Sequence, residues 1–303
     1  MTPLSRSDLA DFPYFLAVAR HRSFRRASQD LGVTASALSH AMRGLEARLG
    51  VRLLNRTSRS VTLTLAGESL FSALSQPFEA IGEAVDLLNA FRDQPAGRVR
   101  MNVPGDAATH LLAPILPAFI ARYPDVKIEV AVANKMVDVI GSGFDAGIRY
   151  GGTVPEDMVA VRLSADIRWL VVASPDYVAR RGAPARPEDL MAHECLRMRM
   201  GTNDIYKWEF DAEPGPIEID VPGAITVDEA AFAFGLVERG AALGYAAEFA
   251  VADCLRDGRM VTVLDDWPSI GPGFYIYYPS RRQVPTALRL LIDFIREQRP
   301  LGL

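Results

Sequence analysis

Residues 34–50 read TASALSHAMRGLEARLG, and how this stretch folds decides the organisation of the N-terminal part of the chain. Thr34 is a residue type that caps a helix by accepting a backbone N–H bond, and Val33 and Leu38 flank it with the spacing of a hydrophobic staple. Leu38, Ala41, Met42, Leu45 and Leu49 then recur at three and four residues as one apolar stripe, and Gly50 supplies the stop. That stripe needs a surface to bury against. The opposite face carries Ser36, Ser39, His40 and Arg43 at i, i+3, i+4 and i+7, with no large apolar side chain among them. Hydroxyls, an imidazole and a guanidinium on one face suit the base edges and phosphates of a major groove, whereas the same pattern on an arbitrary amphipathic helix is a solvated surface.

The flanking sequence decides between these readings. Upstream, SFRRASQDL (residues 23–31) is a second short helix, capped by Ser23, with Phe24, Ala27 and Leu31 as its apolar side and Arg25 as a further candidate DNA contact. Gly32 breaks it, so the pair reads as helix, short turn, helix. Downstream, VRLLNRTSRSVTLT (residues 51–64) alternates apolar and polar residues on both sides of a turn over residues 55–60 that carries Arg56 and Arg59. This is a two-stranded wing with a basic tip. Charge follows the same division. Residues 1–64 hold ten Arg and no Lys against four acidic residues, a balance of +6, which leaves −10 of the total −4 on the remainder. A basic head on an acidic body fits polyanion binding at one end.

Residues 15–67, FLAVARHRSFRRASQDLGVTASALSHAMRGLEARLGVRLLNRTSRSVTLTLAG, resemble the winged helix-turn-helix of the LysR-type transcriptional regulators. The Ser23-Phe24 before the helical turn, the Leu45-Glu46 before the Leu49-Gly50 stop and the Asn55-Arg56 at the wing all fall in family order. Two departures stand out: Leu54 where the family often has Phe, and Gly44 inside the second helix, which costs roughly 0.5–1 kcal/mol relative to Ala. The resemblance implies a homodimer or dimer of dimers on double-stranded DNA with a dyad-symmetric operator. In that setting Ser36, Ser39, His40 and Arg43 read the major groove, Thr34 and Arg25 lie beside them, and Arg56 and Arg59 reach phosphates or the minor groove.

Before this segment, a first helix is expected from Asp8 or Asp11 to about His21, the start near Asp11 being favoured because Pro13 belongs in a first turn, with Leu9, Phe12, Leu16 and Ala19 facing the helix-turn-helix. After it, residues 64–91 form a long helical pattern in which Leu70, Leu74, Phe78, Ile81, Val85 and Leu88 make a near-heptad seam. Its partner is either the same helix of a second subunit, as the resemblance implies, or the body of its own chain. Pro77 is expected to kink or divide this helix after Gln76 at a cost of ~3 kcal/mol.

The remainder alternates strand and helix: strands at 98–103, 126–132, 145–150, 167–173, 207–210, 223–227, 243–246, 260–264 and 274–279, with helices at 106–122, 137–141, 176–181, 228–239 and 285–297. Such alternation predicts an α/β body of parallel sheet covered by helices, divided into two lobes. The resemblance implies the arrangement: a winged helix-turn-helix over 1–65, a linker and dimerisation helix over 66–92, a hinge over 93–97 and a periplasmic-binding-protein-like effector domain over 98–303. Lobe one then takes about 98–164 and 267–303, and lobe two about 165–266.

Ligands of open α/β sheets sit at the carboxyl ends of strands, where helix N-termini point N–H groups into a crevice. Three stretches qualify: residues 104–109 (Pro104, Gly105, Asp106, Thr109), 149–152 (Arg149, Tyr150) and 226–228 (Thr226, Asp228). Thr226 and Asp228 would serve equally as helix caps. The resemblance places a small-molecule effector between the lobes against these loops and adds Arg197 and Tyr245. The family often has Ser or Thr around position 106, where an aspartate would repel an anion. The effector is therefore either neutral or cationic, or an acid held mainly by Arg149 and Arg197.

Other classes fit less well. Hydrophobic residues at 49% and charged ones at 23% describe a globular chain, and no apolar run approaches the ~18 residues of a membrane span. The first residues carry no basic-then-apolar signal pattern, so a cytoplasmic chain is expected, which counts against a secreted solute-binding protein. Cys195 and Cys254 are expected to be packed thiols rather than a disulfide. No phosphate loop, nucleophile elbow or metal-ligand spacing is present, and His193-Glu194-Cys195 reads as a surface turn. The expectation is a regulator without cofactor, metal or catalytic role; a non-specific nucleoid-type binder is the alternative.

Overall fold

The computed structural model describes residues 5–56, 60–86, 88, 94–139, 141–155, 157–213, 215–267, 269–279 and 284–303. Two compact units result: residues 1–94 with 141–143, and residues 95–140 with 144–303. The first holds α1 (Arg6–His21), α2 (Phe24–Leu31), α3 (Ala35–Leu49), β1 (Leu54–Arg56), β2 (Val61–Leu63) and α4 (Leu65–Asp86). Buried Phe12, Phe15, Leu16, Val18, Leu38, Met42 and Leu45 form its core, against which Leu70, Phe71, Leu74 and Phe78 of α4 pack.

The first helix starts earlier than its proline suggests. Ser5 and Asp8 form a reciprocal capping box, with Ser5 Oγ accepting from Asp8 N–H at 3.1 Å and Asp8 Oδ2 accepting from Ser5 N–H at 2.9 Å. Pro13 therefore lies inside the helix, and the carbonyl it leaves without a donor belongs to Leu9, which is 52% exposed, so water can satisfy it. Leu9 does not face the core as expected; at its level α1 meets α3 through charge. Arg48 donates from Nε to Asp8 at 2.7 Å and from Nη2 to Asp11 at 2.6 Å. A Cβ on Gly44 would stand 3.1 Å from Arg48 Nη1, so the glycine inside α3 leaves room for this pair.

These bonds hold the Asp8 carboxyl down at about 2, against an ordinary 3.8, with the Arg48 contact the largest cause. Because the folded value lies below the unfolded one, the stabilisation is complete above pH 3.8 and is lost as pH falls towards 2. Asp8→Asn should therefore flatten the loss of stability across that window, read from acid-unfolding curves of the full chain. An unchanged curve would assign the acid sensitivity elsewhere.

Helix α4 runs unbroken through Pro77, contrary to the expected division. Pro77 and Ala73, whose carbonyl loses its donor, are both exposed, so solvent replaces the missing bond. The seam splits in use: Leu70, Leu74 and Phe78 pack on the unit's own core, while Ile81, Val85 and Leu88 stay 57%, 56% and 54% exposed.

The second unit holds β3 (Gly97–Val103), α5 (Leu116–Arg122), β4 (Val126–Val132), β5 (Ala146–Tyr150), β6 (Met158–Arg162), β7 (Ile167–Ala173), α6 (Pro175–Arg181) and β8 (Arg197–Met198). It continues with β9 (Trp208–Phe210), β10 (Ile217–Ile219), β11 (Thr226–Val227), α7 (Ala230–Glu238), β12 (Gly244–Ala247), α8 (Glu248–Arg256), β13 (Val261–Val263), β14 (Ser269–Gly271), β15 (Phe274–Pro279) and α9 (Thr286–Gln298). A five-stranded sheet runs β4-β3-β5-β15-β6, with β3 parallel to β4 and β5, and β15 antiparallel to β5 and β6. Strand β15 and helix α9 thus join the sheet begun at β3. A four-stranded sheet has β7 at its centre, with β12 on one side, β13 on the other and β14 along its start, all antiparallel to it.

Several expectations change here. Strands β12 and β13 do run parallel with α8 as their crossover, but β7 inserts between them in the opposite direction, which strand-helix alternation cannot reveal. The helix expected over 106–122 is broken: Ala107–Leu112 is a π-helical turn with Ala113 N–H donating to Ala108 C=O at 2.9 Å, and α5 starts afresh beyond Pro114. Residues 137–139 form no helix, and β6, β10, β14 and α8 appear where none was expected.

Candidate functional site

Two surfaces carry the expected site residues, one in each unit. On the first, Thr34 caps α3, its Oγ1 accepting from Ala37 N–H at 3.1 Å, so its hydroxyl is engaged in holding the helix start. Gly50 ends α3 in the left-handed conformation at φ 70°, which favours glycine. Between these ends Ser36, His40 and Arg43 are exposed and Ser39 half-buried, so the outer face is polar as its spacing predicts; Arg25 is exposed on α2. Arg43 Nε donates to Ser39 C=O at 3.4 Å, and among the described residues its two terminal nitrogens make no hydrogen bond.

Strands β1 and β2 pair antiparallel in register Leu54–Leu63 to Arg56–Val61, forming the wing. Arg59 lies outside the described residues. Arg56 lies in β1 rather than at the turn, and it is folded back: Nη1 donates to Ser39 Oγ at 3.2 Å, Nη2 to Glu46 Oε2 at 3.0 Å, and the guanidinium carbon stands 4.8 Å above the Phe24 ring. Helix and wing enclose a concave surface lined by Arg43, Glu46, Ala47, Arg52, Asn55 and Arg56.

In the second unit, Asp106 follows β3 and takes the Tyr150 hydroxyl hydrogen bond at 2.8 Å. Burial, reinforced by nearby Glu229, pushes the Asp106 carboxyl above its ordinary value against the Tyr150 bond, and burial also raises the Tyr150 hydroxyl. Tyr150 stacks on Phe274 at 4.5 Å and meets Trp169 of the other sheet at 5.6 Å. Trp169 stacks on Tyr245 at 5.4 Å and 5°, and Tyr245 on Trp208 at 5.4 Å. An aromatic row therefore crosses from one sheet to the other. Asn134 bridges the same boundary, accepting from Gly105 N–H at 3.2 Å and donating to Asp228 C=O at 2.5 Å. Thr109 is exposed near the start of the π-helical turn and Pro104 is buried beneath it.

Three expected ligand roles are changed by their surroundings, and one expected helix cap is supplied by another residue. Arg149 is 5% exposed and its guanidinium is turned into the protein, donating to Asn102 Oδ1, to Ile148 C=O at 2.6 Å and to Lys135 C=O at 2.9 Å. Both terminal nitrogens are thus engaged within the protein rather than offered to a ligand. Arg197, in β8 beside Thr226, is committed to Asp220 at 2.8 Å. The Tyr245 hydroxyl bonds Ser269 Oγ at 2.6 Å and donates to Glu209 C=O at 2.9 Å, so only its ring remains. Glu229, rather than Thr226 or Asp228, caps α7, accepting from Ala231 and Phe232 N–H.

Two family models cover the chain: the bacterial regulatory helix-turn-helix of the lysR family over residues 9–68, and the LysR substrate binding domain over residues 92–300. The chain is a LysR-type transcriptional regulator. It is similar to the HTH-type transcriptional regulator YcaN of Escherichia coli, 39% identical over 96% of this chain and 95% of that one. PgrR of the same organism is 32% identical over 97% and 98%. Among solved structures, the full-length Vibrio cholerae virulence activator AphB aligns with a TM-score of 0.66 at 25% identity over 96% and 99% of the chains. CrgA of Neisseria meningitidis aligns at 0.61 and 27% over 98% and 99%. Members of this family bind DNA operators and small-molecule effectors and form oligomers.

Trp169 and Asn134 take part in the second surface without a signal in the regulator's sequence that sets them apart, because each acts on a residue remote in the chain; Glu229 and Glu46 act on near neighbours, and the structure shows which N–H groups each accepts from. Cys195 is buried, its thiol pushed up to about 12 by burial, and Cys254 donates to Glu238 at 3.1 Å; both are free thiols. The His193-Glu194-Cys195 run is no surface turn throughout, since the His193 ring bonds the Tyr177 hydroxyl at 3.1 Å. Among the described residues no cluster of His, Cys, Asp or Glu is arranged to hold a metal, and no helix is long and apolar enough to cross a membrane.

Proposed function

We propose that this regulator reads a dyad-symmetric operator as a homodimer or dimer of dimers in the cytoplasm, without a catalytic step, and that a small cationic or neutral aromatic molecule in the cleft modulates it. Ser36, Ser39, His40 and Arg43 contact base edges, while Arg25 and the wing's Arg59 contact the sugar-phosphate backbone. The exposed Ile81 and Val85 at the far end of α4, with exposed Leu88 beyond it, support pairing with a second subunit. In the cleft, the observation that carries the reading is Asp106 at the strand end among aromatic rings, with Arg149 turned away and Arg197 already paired. A carboxylate beside π faces suits an ammonium and opposes a carboxylate. Effector and operator binding then influence each other reciprocally.

Competition binding of the full chain at physiological salt tests this. DNA from upstream of its own gene should be preferred over random sequence by at least roughly a thousandfold. A ratio near unity with steep salt dependence would favour the non-specific binder.

A further inference from the structure

The DNA-facing surface of α3 contains one acidic residue, Glu46, and both of its carboxylate oxygens are taken by the wing. Glu46 Oε1 accepts from Leu53 N–H at 2.9 Å and from Leu54 N–H at 3.0 Å, at the entry to β1. Oε2 accepts from Arg56 Nη2 at 3.0 Å, and Arg56 passes the connection on to Ser39 Oγ at 3.2 Å and to the Phe24 ring. The pair is mostly shielded, with side-chain exposures of 14% for Glu46 and 26% for Arg56. One carboxylate thus joins the recognition helix, the wing and, through Arg56, a hydroxyl on the face that meets DNA.

We propose that Glu46 is a positioning and specificity-determining residue: it fixes the wing's register against α3 and neutralises Arg56, so that Arg56 orients Ser39 instead of contacting phosphate. Two physical consequences follow. An uncompensated carboxylate in this concave surface would repel the DNA backbone, but this one is compensated by a guanidinium and two N–H groups. Conversely, a guanidinium paired with a carboxylate releases no counterion on binding DNA, so it adds affinity neither to the operator nor to random sequence. With one lone pair of Ser39 Oγ occupied by Arg56, its O–H points away from the guanidinium, as a donor towards acceptors on the base edges.

The salt dependence of DNA binding separates this role from an ordinary phosphate contact. Full-length protein, Glu46→Gln and Arg56→Met would each be titrated with operator and with random duplex across a salt series. The Glu46→Gln side chain keeps a carbonyl for the two N–H groups but drops the charge, so Arg56 is released to the backbone. Random-sequence binding should tighten, the slope of log K on log salt should steepen by about 0.9, and the preference for operator should fall roughly tenfold. Arg56→Met leaves the Glu46 carboxylate uncompensated, so it should weaken operator and random duplex together and lower the preference to a similar extent, whereas the double variant, which removes both charges, should regain the wild-type slope with the preference still lowered. A double variant with a slope shallower by about 0.9 and the preference intact would make Arg56 a phosphate contact and overturn the proposal. So would a Glu46→Gln protein with wild-type slope and preference. Should Arg56→Met fail to fold, the Glu46→Gln titration decides alone.

Discussion

Arg43→Ala should weaken operator binding by roughly 5- to 150-fold per half-site, the ~1–3 kcal/mol of a two-pronged guanine contact, while binding to random DNA changes little. The expectation rests on geometry. Arg43 is exposed on α3, one turn beyond His40, and with Nε bonded to Ser39 C=O at 3.4 Å its two terminal nitrogens remain without a partner among the described residues. The loss should concentrate at one base pair, so that Arg43→Ala no longer distinguishes the four bases there. Binding to a set of operators substituted at each position in turn measures this. A uniform loss on every sequence would make Arg43 a phosphate contact and transfer the base reading to Ser36, Ser39 and His40.

Asp106→Asn should weaken a cationic aromatic effector by roughly 10- to 100-fold, because a charge-assisted hydrogen bond contributes ~1.5–3 kcal/mol. Full-length protein would be screened by thermal shift against aromatic amines and the matching carboxylates, followed by calorimetry of the binders. Amines should raise the melting temperature and carboxylates should not. Binding requires the ionised carboxylate, whose pKa is raised by burial, so amine affinity should fall as pH drops through that raised value and level off above it. A carboxylate that binds the wild-type protein, and binds Asp106→Asn more tightly, would contradict the reading.

The helix-turn-helix and wing were far more legible in the sequence than the surroundings of Asp106, for a physical reason. Their parts are local: Thr34, the stripe from Leu38 to Leu49 and Gly50 lie within one helix, so cap, period and stop are visible in order. Leu9 and Pro13 misled because a helix start depends on Ser5 and Asp8 finding each other, and Pro77 because exposure decides what an interior proline costs. The cleft is assembled from residues far apart in the chain. Arg149 looked like an anion ligand at a strand end, and only the carbonyls of Ile148 and Lys135 reveal which way it turns. Trp169 and Asn134 gave no signal because their partners, Tyr150 and Asp228, come from elsewhere. The antiparallel insertion of β7 between β12 and β13 was hidden likewise, since periodicity reports an element's faces but not its neighbours.

The most direct test of sequence-specific reading by α3 is selection of preferred sites from random duplex DNA, run in parallel on the full-length protein and on Arg43→Ala. The expected outcome is a motif of two inverted half-sites from the wild-type protein, with one position in each half-site losing its base preference in the variant. Failure of any motif to emerge, or the same motif from both proteins, would contradict it.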